Sequence, residues 1–441
     1  MNNLAREVLT CGSSAHWNRR SWLNAVGSSG LWGLTSLAGS LAQASEAKRS
    51  GSRAKSVILL WLKGAPSQLE TFDPHPGTEI AAGSQARGTS VKEIQLGKGL
   101  EQVSETMQDI SIVRSVTSKE GDHERAVYNV KTGFRPDPTI VHPAIGSVIC
   151  HQLNSIDEGK IDIPRHVSIF PGNSPGRGGY LGDQFDAFKM FDPKNPLPDL
   201  RKQVPDQRFS DRLKMLDFLE KNDPFRRKGQ ADVRYGDPNT QAALKMMSSE
   251  QLKAFDLSGV PTSLQQEFGE TPFGRGCLVA MRLIQVGVRC VEVTLPGWDT
   301  HVNNHELQAG RIEILDPAFS ALVRNLKKRD LLNQTVVFCG GEFGRTPMMN
   351  AAEGRDHWPH GFSIALAGGG IQGGRVVGET SPHPKLDPGN REQDIKHKVT
   401  VEDIHATILS SLGIDFTQEL ETPVGRPLVM SQGKVIKPLI L

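Results

Sequence analysis

Four short stretches carry side chains whose types and spacing could do chemistry. The first is Thr335-Val-Val-Phe-Cys-Gly-Gly-Glu-Phe-Gly-Arg-Thr-Pro347, where an apolar β-branched run stops at two glycines and presents Glu342 and Arg345. The second is Asp356-His357-Trp358-Pro359-His360. The third is Trp298-Asp299-Thr300-His301-Val302-Asn303-Asn304-His305, and the fourth opens with Asp122-His123. Asp299, His301 and His305 offer three ligands within seven residues, and Glu342, Asp356 and His357 can add to them. Imidazole with carboxylate suits zinc, manganese or iron better than calcium. Hydrogen bonding among polar loop residues is the alternative. Arg345 has two readings: a salt bridge to Glu342 that fixes the loop, or a clamp for an anionic group such as phosphate or sulfate. His123 falls on the first turn of a helix, where the dipole disfavours imidazolium and favours a neutral ligand or nucleophile.

These residues need a scaffold, and the pattern around them is α/β. Ser56–Leu62 is an apolar run of the kind found in strands buried on both faces. It empties into Gly64-Ala-Pro-Ser67-Gln68-Leu-Glu70, a polar loop in which Ser67 and Gln68 are candidates for substrate binding. Further strands are expected at Ile110–Val113, Val167–Phe170, Val288–Leu295, Thr335–Phe338 and Phe362–Ala367. Asp122 caps a helix that Gly133 closes. Other helices are expected over His142–Leu153, Phe209–Leu219, Gly274–Val286 and His305–Arg329. A last one is opened by the capping box Thr400-Val-Glu-Asp403. Strands alternating with helices imply a mostly parallel sheet, with sites in the loops past the strand ends. Residues 171–261, rich in proline, glycine and charge, read as an inserted cap.

The N-terminus reads as a leader. Asn18-Arg19-Arg20-Ser21-Trp22-Leu23 is a twin arginine followed by a weakly apolar stretch and a small-x-small site at Ala42-Gln43-Ala44. This order predicts a twin-arginine signal peptide over residues 1–44 and a single domain over 45–441, in a periplasmic or extracellular protein. No later run approaches the roughly 20 apolar residues of a membrane span. Lys+Arg of 51 against Asp+Glu of 49 argues against nucleic acid as a partner. Cys11 lies in the leader. Cys150, Cys277, Cys290 and Cys339 form no CxxC pair, so a zinc knuckle is not expected, and buried thiols are. Neither a G-x-S-x-G elbow nor a P-loop is present.

Several motifs together resemble one bacterial family, domain of unknown function 1501: Gly64-Ala-Pro-Ser-Gln-Leu-Glu-Thr-Phe-Asp-Pro74, Thr271-Pro-Phe-Gly-Arg-Gly-Cys277, Gly297-Trp-Asp-Thr-His301, Gly340-Gly-Glu-Phe-Gly-Arg-Thr-Pro347, Asp356-His-Trp-Pro359 and His405-Ala-Thr-Ile-Leu409. The likeness runs from about residue 55 to 430. It implies an alkaline phosphatase-like fold, in a superfamily whose members use metal ions to cleave phosphate or sulfate esters. Val401–Ile414 is similar to the C-terminal sulfatase segment, and the helix ending Lys131-Thr-Gly133 is similar to the one that follows the sulfatase nucleophile. On that alignment His123 stands where the nucleophile would. The chain departs from the pattern in having no Cys-x-Pro-x-Arg, Lys63-Gly64 instead of a first-strand aspartate, and Glu342-Phe343-Gly344 instead of Asp-His-Gly. The expectation is an exported, divalent-metal hydrolase of an anionic ester. The alternative is a non-catalytic sulfatase-like scaffold that binds an anionic polysaccharide or a partner protein. A metal-dependent oxidoreductase is a more distant third.

Overall fold

A computed structural model describes residues 54–154, 161–198, 200, 202–221 and 237–440. The twin-arginine segment, the cleavage site expected at Ala44 and Cys11 lie outside the described residues. The described residues belong to one compact unit, Ser52–Leu441.

The sheet is built from β1 (Ser56–Lys63), β2 (Ile110–Thr117), β3 (His166–Ile169), β4 (Phe188–Met190), β5 (Cys290–Pro296), β6 (Thr335–Gly340), β7 (Phe362–Ala367), β8 (Val376–Val377) and β9 (Val399–Thr400). Their order is β8-β2-β7-β6-β1-β5-β3-β4, with β9 also against β2. β7 runs antiparallel to both neighbours, β2 and β6. Every other pairing is parallel. β1 is central, and successive side chains of a strand point to opposite faces. Ile58, Leu60 and Leu62 enter one core layer, and Val57, Leu59 and Trp61 enter the other. This two-sided burial explains why its sequence is a continuous apolar run.

Helices cover both faces. α1 (His123–Thr132), α2 (Ile145–Gln152) and α5 (Val401–Ser411) pack on the Trp61 side, and α3 (Pro272–Gln285) and α4 (Asn304–Lys328) pack on the Leu60 side. The predicted caps form. The Asp122 carboxylate accepts the Arg125 N–H, Gly133 is left-handed, and Thr400 and Asp403 exchange capping-box bonds. α2 begins at Ile145, later than the sequence suggested, because Pro143 keeps His142 out of helical geometry.

The described residues of the segment 171–261, expected as a cap, are divided between two roles. Phe188–Met190 extends the sheet, and Met246, Phe255, Leu257 and Val260 join the core under α3. The helix Asp206–Lys221 lies outside that core, with Met215, Phe218 and Leu219 exposed. The thiols of Cys150, Cys277, Cys290 and Cys339 are free and buried. No helix among the described residues is long and apolar enough to cross a membrane.

Candidate metal centre

The parallel register brings the carboxyl ends of β1, β5 and β6 side by side, with Lys63 opposite Pro296 and Trp61 opposite Gly340. The loops that leave them meet at Gly64. Its φ is +109°, and a Cβ there would lie 2.6 Å from the Asp299 nitrogen, so only glycine fits. The Gly64 N–H donates to Glu342 Oε1 at 2.9 Å. Gly344–Arg345 then pairs antiparallel with His357–Trp358, and this sets His357 opposite Arg345.

Three imidazoles surround Asp299. His123 Nε2 is 3.3 Å from Oδ2, while His301 Nε2 and His357 Nε2 are 3.1 and 3.5 Å from Oδ1. Each ring is anchored through its other nitrogen. His123 Nδ1 is 2.7 Å from Glu342 Oε1, His301 Nδ1 is 2.7 Å from Asp356 Oδ1, and His357 Nδ1 is 2.8 Å from the Gly121 carbonyl. A carbonyl oxygen can only accept, so the His357 proton sits on Nδ1. Burial, the main cause, holds its pKa below the usual histidine range, so its Nε2 presents a lone pair. The Asp356 carboxyl is held below its ordinary range, first by the His301 hydrogen bond. Asp356 is therefore a carboxylate, and it accepts the hydrogen bond from His301 Nδ1.

The geometry at the two Nε2 atoms is informative. His301 Nε2 and His357 Nε2 are 3.0 Å apart. His357 turns its Nε2 lone pair toward His301 Nε2 at that distance, so the pair can hold a proton or a cation between them. His123 Nε2 and Glu342 Oε2 are buried without a hydrogen-bond partner. His123, Asp299 and His357 each place a ligand atom within 4.8 Å of the other two. Carboxylate or carbonyl behind imidazole is the arrangement that orients metal-ligating histidines. The residues present therefore fit a divalent ion.

The structure departs from the sequence reading in several places. The His123 pKa is raised, first by the Glu342 hydrogen bond, which outweighs burial; the helix dipole alone suggested a neutral ring. Glu342 and Asp356 stand behind imidazoles instead of facing the convergence point. His305 is turned away. Asn303 is left-handed at the start of α4, and His305 Nδ1 lies 3.3 Å from Glu70 Oε1 while Nε2 is 3.0 Å from the Ala82 carbonyl. Ser67 is fully buried and its N–H donates to Gln308 Oε1 at 3.2 Å. Gln68 clasps the backbone of Arg345: its Nε2 donates to the carbonyl at 2.7 Å, and its Oε1 accepts the N–H at 2.8 Å.

Arg345 is fully buried and pairs with Asp299 at 2.6 Å, not with Glu342. Its remaining bonds go to the Ala65 carbonyl at 3.0 Å, the Arg355 carbonyl at 3.1 Å and the Gly64 carbonyl. It is thus enclosed in the floor of the site, where it aims Asp299. Burial raises the Asp299 carboxyl pKa, but the Arg345 hydrogen bond and charge prevail and hold it below its ordinary range.

A parallel arrangement supports the floor. Arg355, also fully buried, donates to Glu70 Oε1 at 3.1 Å and to the Ile80 carbonyl at 2.8 Å. Burial pushes the Glu70 pKa up, yet His305 and Arg355 overcome it and bring it down from 4.5 to about 2. The folded pKa lies below the unfolded one, so Glu70 stabilises the fold above pH ~4.5, and that contribution disappears as pH falls through about 2. Glu70→Gln is expected to lower stability near pH 7 by about 3 kcal/mol, a gap that narrows steadily below pH 4.5. Urea midpoints of both proteins between pH 7 and pH 3 check this. A gap that stays constant with pH contradicts it.

Beside the imidazoles opens a cleft of about 390 Å³, bounded by Lys63, Gly64, His123, Glu124, Asn173, Asp299 and Glu342. Glu124, Val127 and Ser174 also line a neighbouring hollow that is bounded further on by Tyr128, Val141, His142 and Pro175. Phe134 stacks on His142 at 4.4 Å between ring centroids.

The family described as "Protein of unknown function (DUF1501)" matches residues 54–440. The chain belongs to this family. No curated protein matches it. Among solved structures, the DUF1501 chain is similar to the lipoteichoic acid synthase LtaP from Listeria monocytogenes, with 10% identity over 88% of this chain and 77% of that chain and a TM-score of 0.41. It is similar to a protein in the alkaline phosphatase superfamily from Vibrio parahaemolyticus, at 12% identity over 82% and 67% with a TM-score of 0.37. A third is the C-terminal periplasmic domain of EcEptC from Escherichia coli in complex with zinc, at 10% identity over 89% and 93% with a TM-score of 0.37.

Sequence reasoning did not find the Gly121 carbonyl, Arg355 or Lys63 as parts of this DUF1501 site. A backbone carbonyl leaves no mark in a sequence. Lys63 did leave one: it is a charge at the last position of an otherwise apolar strand.

Proposed function

We propose that this DUF1501 protein is an exported, metal-dependent hydrolase of a phosphate or sulfate ester. In this reading His123, Asp299 and His357 hold one divalent ion and His301 completes its surroundings. The observation that carries it is the convergence of three Nε2 atoms on one carboxylate, each ring tied through Nδ1. Three imidazoles and a carboxylate suit zinc, manganese or iron. The chemistry a bound ion supplies is polarisation of a phosphoryl or sulfuryl oxygen and a more acidic attacking water. The chain's own groups do the rest. Glu342 and Asp356 orient imidazoles and raise their basicity. Arg345 keeps Asp299 ionised and fixed. The cleft receives the anionic group, and the neighbouring hollow beside Tyr128 and Val141 takes the alcohol portion of the ester. The twin arginine at Arg19-Arg20 supports export.

A second reading has an observation of its own. Among the described residues the cysteines and Ser67 are enclosed, so neither a thiol nor that hydroxyl stands ready as nucleophile. This favours either a His123 or water nucleophile, or a scaffold that binds a polyanion without turnover. The test is a screen of aryl phosphates and aryl sulfates with zinc, manganese or iron supplied. Turnover that a chelator abolishes and metal restores is the expected result. Polyanion binding that is indifferent to chelator, without turnover of any ester, would favour the scaffold.

A further inference from the structure

An anionic ester in this cleft needs a cation to hold its oxygens, and the arginine that the sequence offered is already engaged. Arg345 is fully buried, and its donors go to three carbonyls and Asp299. Lys131, which lines the neighbouring hollow, is used by Glu292 at 3.1 Å and by the Ser174 carbonyl at 2.6 Å. Among the described residues that line the cleft, Lys63 is the sole lysine or arginine. Its one hydrogen bond there is to a neutral group, Asn173 Oδ1, at 2.6 Å. No carboxylate among the described residues forms an ion pair with it.

The position of Lys63 is fixed by the fold. It is the last residue of β1, held in register against Pro296 of β5, and its carbonyl accepts the Trp298 N–H at 3.3 Å. The next residue, Gly64, contacts the Asp299 backbone and donates to Glu342. Lys63 therefore lines the same cleft as His123 and Asp299, with its backbone on a strand end and not in a loop. A compact ammonium with three donors, partnered only by an amide, can exchange that amide for an oxyanion at little cost.

We infer that Lys63, steadied by Asn173, is the oxyanion-binding residue of the cleft. Its ligand is a tetrahedral anion, phosphate or sulfate, that reaches toward His123 and Asp299. This rests on the hydrolase reading for the identity of the anion, but it can fail independently of the metal. A cation here would attract the anion electrostatically without contributing a metal ligand.

The experiment is calorimetric titration of the full chain with inorganic phosphate and with sulfate, before and after chelator treatment and zinc resupply. Metal content is counted on the same samples. Wild type is compared with Lys63→Ala, Lys63→Gln and Lys63→Arg, and circular dichroism confirms that each is folded. The expected result is binding that weakens about tenfold or more in the alanine and glutamine variants at unchanged metal content. The arginine variant should stay within a few-fold of wild type. Equal binding by wild type and Lys63→Ala overturns the inference and leaves the metal reading intact. Lys63-dependent binding by a wild type that takes up no metal overturns the metal reading and leaves Lys63 standing. If wild type binds neither anion in either form, the inference is wrong.

Discussion

Asp299→Ala is expected to cost about 100-fold or more in metal affinity and to abolish turnover. A complete zinc site is worth roughly 10–16 kcal/mol, so one of four ligands accounts for about 3 kcal/mol. Asp299 is also the group on which the Nε2 atoms of His123, His301 and His357 converge, at 3.1 to 3.5 Å. Without it the three rings face one another with no anion among them. Glu342→Gln should do less, about 10- to 100-fold, because Glu342 acts through the ring of His123 and the Gly64 N–H and does not face the convergence point. Asp299→Asn separates two effects: it keeps an acceptor for Arg345 but removes the charge. Zinc titrations of chelator-treated wild type and the three variants give the ranking. The account fails here if Asp299→Ala retains wild-type affinity.

The second large effect is structural. Arg345→Met should destabilise the fold by about 3–5 kcal/mol. The guanidinium is fully buried and serves the carbonyls of Gly64, Ala65 and Arg355 as well as Asp299. Methionine fills much of the volume and leaves those acceptors without donors, each at a cost of about 1–3 kcal/mol. Arg345→Lys retains charge but cannot span all four partners, so it should fall between wild type and methionine. Thermal and urea unfolding measure this. If Arg345 were instead a solvent-facing anion clamp, Arg345→Met would lose anion binding with stability within about 0.5 kcal/mol of wild type.

Much of the fold is legible in the sequence because the sheet is buried on both faces. Phe362–Ala367 matches its predicted bounds, and β1 differs only by the addition of Lys63. β2 reads as four residues, Ile110–Val113, yet runs to Thr117. Its second half carries Arg114 and Ser115, whose polarity hides the strand. The structure satisfies them at a distance, Arg114 through the Phe72 carbonyl and Asp73, and Ser115 through the His397 carbonyl. Long-range partners of this kind have no local signature.

The same limit applies to the site. The residue types at Asp299, His301, Glu342 and His357 are visible as metal-site chemistry because they follow strand ends. Which of them face the convergence point is not visible. His305 shares a short stretch with Asp299, but a left-handed turn at Asn303 separates them and delivers His305 to Glu70. Glu342 and His123 are 219 positions apart and meet at 2.7 Å. Spacing along the chain grouped His305 with Asp299, and the fold put His123 in its place.

The most direct test of the central claim is elemental analysis of the full chain, purified without a tag and incubated in turn with zinc, manganese and iron, beside Asp299→Ala/His301→Ala. The account predicts about one equivalent of one of these ions in wild type. The double variant should be metal-free and still folded. A folded wild type that takes up none of the three would contradict it, and the imidazoles around Asp299 would then be a hydrogen-bonded network alone.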